Sequence, residues 1–133
     1  MTYLLDTNAC IALFRGHAEV SRRVRGTNPD DIFLCSPAIA ELYVGAYKSQ
    51  LRRQNVLLIE ELLRNYECHS FSTRESLNFA DIAIAMAASG NEGTVVDLQI
   101  ASLAVAHGMT VVTSDQDFSN VPDLFIEDWT IPT

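Results

Sequence analysis

The chain has 133 residues and a mass of 14.7 kDa, which suits one compact domain over residues 1–133. Hydrophobic residues make up 48 %, enough for a proper core, yet no apolar run approaches the ~20 residues a membrane span needs. The net charge of −8 is unevenly spread: up to Tyr66 eight Lys/Arg face seven Asp/Glu, whereas from Glu67 onward only Arg74 faces ten acids. That balance argues against binding nucleic acid through a broad basic surface. It leaves open a protein that holds cations with clustered carboxylates and touches a nucleic-acid backbone through a local arginine patch.

In chain order, Thr2 to Leu5 reads as a buried strand turning into a helix at Asp6-Thr7-Asn8, with Asp6 or Asn8 available as a cap. Glu19 to Arg25 is a short polar helix, stopped by the loop signal Gly26 to Asp31. Ile32 to Cys35 is a second strand. Ser36-Pro37 predicts a helix start with Ser36 as cap and Pro37 in the first turn, and this helix runs to about Tyr47. A further helix from about Leu51 to Asn65 gathers Val56, Ile59, Leu62 and Leu63 on one side. Tyr66 to Phe71 is a third strand. Ser72 or Thr73 caps a long helix to Ala88, ended by Gly90. Val96 to Ala106 is helical and stops at His107-Gly108; Met109 to Thr113 is a strong strand and Leu124 to Glu127 a short fifth one. Strands alternating with helices predict an α/β three-layer sandwich around a mostly parallel sheet of about five strands.

Cys10, Cys35 and Cys68 are odd in number and lack metal-ligand spacing, so they read as small buried hydrophobes in a reducing compartment. The N-terminal Met-Thr-Tyr-Leu-Leu-Asp has no basic region before an apolar stretch, so no secretory leader is expected and the cytoplasm is the expected location.

The residues that carry chemistry are acids. In parallel α/β sheets functional groups collect beyond the carboxyl ends of the strands. Asp6 follows the first strand, while Asp115 and Asp117 follow the Val-Val-Thr strand; if those strands are neighbours, the carboxylates meet. Glu41 interrupts an otherwise apolar helix and shares a face with Ala38 and Gly45, which predicts a buried carboxylate in need of a cation, a donor or a raised pKa. Asp97 sits in the first turn of another apolar helix. Each acid also has a plainer reading. Asp6, Asp97 and Asp115 can serve as caps or first-turn acids, Glu41 can pair with an arginine, and Asp117 can fix a turn. Asp81, without a strand-end context, reads as structural or solvated. Taken together, carboxylates without histidine or cysteine partners favour a hard ion, Mg²⁺ or alternatively Mn²⁺, and suit phosphodiester hydrolysis by metal-activated water.

Four segments carry a family resemblance. Leu5-Asp-Thr-Asn8, Ser36-Pro-Ala-Ile-Ala-Glu-Leu-Tyr-Val-Gly45, Asp97-Leu-Gln-Ile-Ala101 and Val112-Thr-Ser-Asp-Gln-Asp-Phe118 resemble, in order, the motifs of PIN domains, especially VapC-like ribonuclease toxins. The tail from Val121-Pro122 to Glu127-Asp-Trp129 is similar as well. One departure is Val95-Val96 before the third acid, where many relatives have a proline or an aromatic residue. The resemblance implies Asp6, Glu41 and Asp97 as core Mg²⁺ ligands, Asp115 as the fourth acid with Asp117 sharing that role, and Thr113 as a positioning group. It also implies an endoribonuclease acting on tRNA or rRNA as the toxin of a VapBC-type toxin–antitoxin pair. Its expected partners are a cognate antitoxin, a second copy of itself and RNA. For the RNA backbone, Arg15, Arg22, Arg23 and Arg25 are candidates, with Lys48, Arg52 and Arg53 next.

Other classes fit less well. A non-catalytic PIN-like or receiver-like binding module is the alternative, but receivers need a late lysine and the last one here is Lys48. No G-x-G-x-x-G or G-x-x-x-x-G-K-[ST] follows a strand, which disfavours a nucleotide-binding enzyme. There is no G-x-S-x-G elbow either, and His17, His69 and His107 lie outside the motifs, so a hydrolase with a protein nucleophile is disfavoured. His107 before Gly108 reads as a helix C-terminal residue.

Overall fold

Parallel strands cannot be joined by a tight hairpin; each needs a crossover, and the helical segments between the apolar runs supply it. In the computed structural model, which describes residues 1–133, the order is β1 (Tyr3–Leu5), α1 (Thr7–Phe14), α2 (Ala18–Arg25), β2 (Ile32–Cys35), α3 (Ser36–Lys48), α4 (Arg52–Asn65), β3 (Glu67–His69), α5 (Thr73–Ala88), α6 (Val95–His107), β4 (Thr110–Val112) and β5 (Ile126–Glu127). Short 3-10 turns occupy Pro29–Asp31 and Gln116–Asn120. The five strands form one sheet in the order β3-β2-β1-β4-β5, every pair parallel.

Successive strand residues point to opposite faces, so a sheet covered on both sides needs apolar residues at every position. Leu4 and Val111 pack into one core cluster with Ile82, Met86, Ile100 and Leu103 of α5 and α6. Their neighbours Leu5 and Val112 pack into a second cluster with Cys10 of α1, Val20 of α2, Ile59 of α4 and Trp129. Helix α3 serves both, with Ala38 in the first cluster and Ile39 and Leu42 in the second. These are the three layers expected, and Cys10 and Cys35 are buried free thiols as expected, with Cys68 half-buried.

Local signals set several helix ends. Asp6 caps α1, its Oδ1 accepting the Ala9 N–H at 2.7 Å. Gly108 closes α6 in the left-handed conformation at φ 66°, where a Cβ is disfavoured. Ser72 starts α5, and the Glu75 carboxylate accepts from both its N–H (3.0 Å) and its hydroxyl (2.6 Å). Glu75 is 2 % exposed, and its other oxygen pairs with Nε2 of His107, the last residue of α6, at 2.9 Å. The starts of α5 and the end of α6 are thereby tied together.

One local expectation fails. Ser36 does not cap α3: β2 passes into the helix without a loop, so Cys35 occupies the cap position and makes no side-chain bond. Ser36 Oγ instead accepts the Phe71 N–H at 3.1 Å, anchoring the segment after β3. The cap of α2, His17, was not foreseen; its Nδ1 accepts the Val20 N–H at 3.4 Å.

Candidate active site

The strand order decides where a site can form. From β1 the chain moves outward through β2 to β3, then returns to the other side of β1 with β4. Such a reversal leaves a crevice beyond the carboxyl ends of the two strands that flank it. Asp6 emerges from β1 into that crevice, and its N–H bonds the Val112 carbonyl at 3.2 Å, extending the β1–β4 register by one residue. The two strand ends are therefore locked side by side, as the sequence required if the acids were to meet.

A pocket of about 330 Å³ opens there, lined by Asp6, Thr7, Asn8, Glu41, Thr94, Asp97 and Asp115, with no apolar residue and no Lys or Arg. Four of the sequence-predicted acids thus share one pocket. Asp6 is 4 % exposed, Asp97 and Asp115 are half-buried, and Glu41 is exposed at the rim. Asp117 does not join them: it is exposed and lines an adjoining cavity with Asp97 and Asp115. Its N–H is the donor that Asp115 Oδ1 accepts at 2.9 Å, so the backbone of Asp117 completes the cap of the turn after β4.

The plainer readings of these acids prove compatible with the functional one. Asp6 and Asp115 are both caps and pocket residues, because a cap oxygen at a strand-to-helix junction is already beyond the strand end. Asp97 is a first-turn acid; the cap is Thr94, whose Oγ1 accepts the Asp97 N–H at 3.1 Å. Glu41 is where the expectation of burial fails: it is exposed, and the donor expected for it is the Thr7 hydroxyl, which donates to Oε1 at 2.5 Å, with no arginine paired to it. Gly45 on the same face has open space where a Cβ would stand, so nothing in this chain approaches it closely.

Burial pushes the Asp6 carboxyl up to about 6, against the lowering effect of the Thr113 hydroxyl and the Ala9 N–H, and the charges of Asp97 and Asp115 add to the rise. Asp97 is also raised, by burial first, then by Asp115, Glu41 and Asp117, while the Thr94 hydroxyl opposes. Thr113 links the group further: its Oγ1 accepts the Asp115 N–H at 2.9 Å. The result is a set of oxygen donors carrying unbalanced negative charge. No three of these carboxylates form a ready-made chelate for one ion. The donor set nevertheless fits a hard divalent cation, all oxygen and without sulfur or imidazole, and Mg²⁺ commonly completes such a shell with waters.

A comparison with protein-family models matches the PIN domain over residues 3–124. The chain belongs to the PIN domain family. This PIN domain is 28 % identical over 130 residues to the tRNA(fMet)-specific endonuclease VapC of Salmonella typhimurium, covering 97 % of this chain and 98 % of that one. It is 29 % identical over 133 residues to ribonuclease VapC2 of Rickettsia felis, with the same coverages. Among solved structures it is similar to the DNA-bound VapBC of Salmonella typhimurium, with a TM-score of 0.90 at 27 % identity over 97 % of this chain and 98 % of that one. It is also similar to VapBC2 of Rickettsia felis bound to a promoter DNA fragment, with a TM-score of 0.88 at 28 % identity over 97 % and 99 % of the two chains.

Within this PIN domain, the sequence reading gives Asn8 only as a possible cap and Thr7 only as part of the first motif, and it assigns no role to Thr94, although all three line the pocket. The signals were available: Thr7-Asn8 directly follows the first acid, and Thr94-Val-Val-Asp97 has the Ser/Thr-x-x-acid spacing of a helix start. Three of the seven basic candidates are engaged elsewhere. Arg22 pairs with Glu19 at 2.9 Å, Arg23 pairs with Glu127 at 2.8 Å, and Arg52 lies over the Tyr47 ring. Arg15 is different: it borders the groove between α1, α3 and α4 that also contains Glu41. No helix is long and apolar enough to cross a membrane.

Proposed function

We propose that this PIN domain is a Mg²⁺-dependent endoribonuclease, with Asp6, Glu41, Asp97 and Asp115 as its metal-holding and catalytic acids and Mn²⁺ as an alternative ion. The observation that carries the reading is the convergence of these four carboxylates in one pocket that contains no cationic side chain. A divalent ion, when bound, would supply positive charge to a phosphodiester and acidify an attacking water. Asp6 is the most buried of the four acids, and its Oδ1 is held by the Ala9 N–H at 2.7 Å, so it presents an oxygen with little freedom. Thr7 steadies Glu41 across the pocket, and Thr94 and Thr113 orient the segments bearing Asp97 and Asp115. Asp117, on the far side of Asp115, is assigned no direct ligand role.

The substrate is RNA, with tRNA or rRNA as the class, and the protein acts as the toxin of a VapBC-type pair. The names and assemblies of the relatives support this. A groove of about 380 Å³ floored by Ile11, Phe14, Leu42 and Ile59 leads to Glu41, which suits an apolar antitoxin segment ending in a basic residue. Leu77 and Ile84, each 72 % exposed and two helical turns apart on α5, support self-association as a homodimer.

The test is incubation of total RNA with wild-type and Asp6→Asn protein, each with Mg²⁺ and with EDTA. Discrete fragments are expected only from wild-type protein with metal. Equal cleavage by a folded Asp6→Asn protein, or by wild-type protein in EDTA, would remove the assignment.

A further inference from the structure

The acidic pocket continues past Asp97 and Asp115. These two side chains and Thr94 also form one wall of a second cavity, of about 180 Å³, between the end of α5, the start of α6 and the turn after β4. Its character is different. The floor is apolar, made by Met86, Leu98, Phe118 and Val121, whereas Glu92 and Asp117 stand at the edge. Every charged group around it is therefore a carboxylate, able only to accept when ionised.

We infer, on the ribonuclease reading above, that this cavity receives a nucleobase adjacent to the bond that is cut and selects bases with an exocyclic amino group. A phosphate belongs to the acidic pocket, where a bound cation would meet it; on the Glu92 and Asp117 side of this cavity its oxygens would face carboxylates that hold no cation in this reading, with no Lys or Arg in the lining. A ribose lacks the flat apolar faces that the floor would cover. An unstacked base has both requirements: apolar faces for Leu98 and Phe118, and a polar edge for the rim. Sequence-specific readers of RNA use this combination on splayed-out bases. Adenine, cytosine and guanine each offer amino hydrogens to the carboxylates. Uracil offers a single N3–H between two carbonyl oxygens, so one carboxylate finds a donor while a carbonyl faces the next acceptor. The rim is open to water, so discrimination of about tenfold is expected rather than an absolute choice.

Gly93 gives access to a test that spares the acids. Its backbone is outside the left-handed region, and a Cβ there would sit 3.5 Å from Leu98 Cδ2, an ordinary contact. Gly93 and Leu98 both line the cavity, so a Val side chain added beside Leu98 would alter its wall. The assay is cleavage of a hairpin RNA library with a randomised loop, followed by sequencing of the ends, using wild-type, Gly93→Val and Glu92→Gln proteins. Wild-type ends should be depleted of uracil about tenfold at one position flanking the cut. Gly93→Val should still cut but lose that bias, and Glu92→Gln, which adds an amide donor, should accept uracil. Cutting by wild-type protein with no bias overturns the subsite alone; no cutting by any protein overturns the ribonuclease reading and the subsite with it.

A second readout needs no catalysis. Metal-free, ¹⁵N-labelled protein is titrated with adenosine, cytidine, guanosine and uridine, and with arginine methyl ester. Shifts of the Gly93 and Leu98 amides by the amino-bearing nucleosides, reduced for uridine and absent in Gly93→Val, are expected. Shifts caused by the arginine ester but by no nucleoside would assign the cavity to a protein side chain and overturn the inference.

Discussion

Replacing Asp6 with Asn should abolish cleavage and, in metal-free buffer near neutral pH, make the protein more stable. Burial holds the Asp6 carboxyl at about 6 against an ordinary 3.8. At roughly 1.36 kcal/mol per pH unit, ionising it in the folded state costs up to about 3 kcal/mol. The residue is 4 % exposed, so solvent does little to screen that cost. The sign follows from proton uptake. Between about pH 4 and 6 the folded chain holds a proton that the unfolded chain has lost, so this contribution to stability falls as pH rises and is fully lost above about pH 6. Asn keeps the geometry: its carbonyl can accept the Ala9 N–H, and Asn is as good a helix cap as Asp. Thermal melts of both proteins in EDTA should then differ by several degrees at pH 7.5, with Asp6→Asn higher, at about 4 °C per kcal/mol for a chain of this size. The gap should shrink on acidification toward pH 4. Adding Mg²⁺ should raise wild-type protein far more than the variant, since binding to the folded state stabilises it. A variant that melts below wild type in EDTA at pH 7.5 would refute the view that the pocket stores uncompensated charge.

Glu75 should behave in the opposite sense. The Ser72 hydroxyl first, and then His107, hold its carboxyl down at about 2, so its stabilisation is present above about 4.5 and lost as pH falls toward 2. Glu75→Gln should cost about 1–3 kcal/mol in urea titrations at pH 7 and flatten the acid limb of the stability curve; an unchanged midpoint would contradict this. Thr113→Val removes the hydroxyl that lowers Asp6 and that accepts the Asp115 N–H, so the acid limb of kcat/KM should move to higher pH, which a pH–rate profile reads directly. Trp129→Ala should cost about 3–5 kcal/mol, because the ring is 1 % exposed and packs edge-on against Tyr3 at 5.1 Å. Arg23→Ala, which removes the partly exposed ion pair to Glu127 and the cation over that ring, should cost about 1 kcal/mol or less, and denaturant midpoints of the two variants distinguish ring from charge.

Much of the architecture was legible locally. Apolar runs bounded by turn signals marked β1, β2, β3, β4 and β5 to within a few residues, and cap residues such as Ser72 and Gly108 marked helix ends, because these features depend on neighbours within about a turn of helix. The same locality made Asp6, Asp97 and Asp115 visible as acids at strand or helix starts. Where the reading failed, a distant residue had intervened. Ser36 was drawn away from capping by the Phe71 N–H, and Glu41 was judged buried from its apolar neighbours although α3 turns that face to solvent.

The sequence by itself therefore determined the alternation of elements, the acidic donor set and its lack of soft ligands. Tertiary structure decided the rest. Only the placement of β4 beside β1 brings Asp115 to Asp6, and only the depth of that crevice raises Asp6 while leaving Glu41 wet. It also sent Asp117 to the adjoining cavity with an apolar floor. The reason is range: caps and periodicities are settled within a few bonds of a residue, whereas strand order, burial and the sharing of one pocket depend on contacts between segments a hundred residues apart.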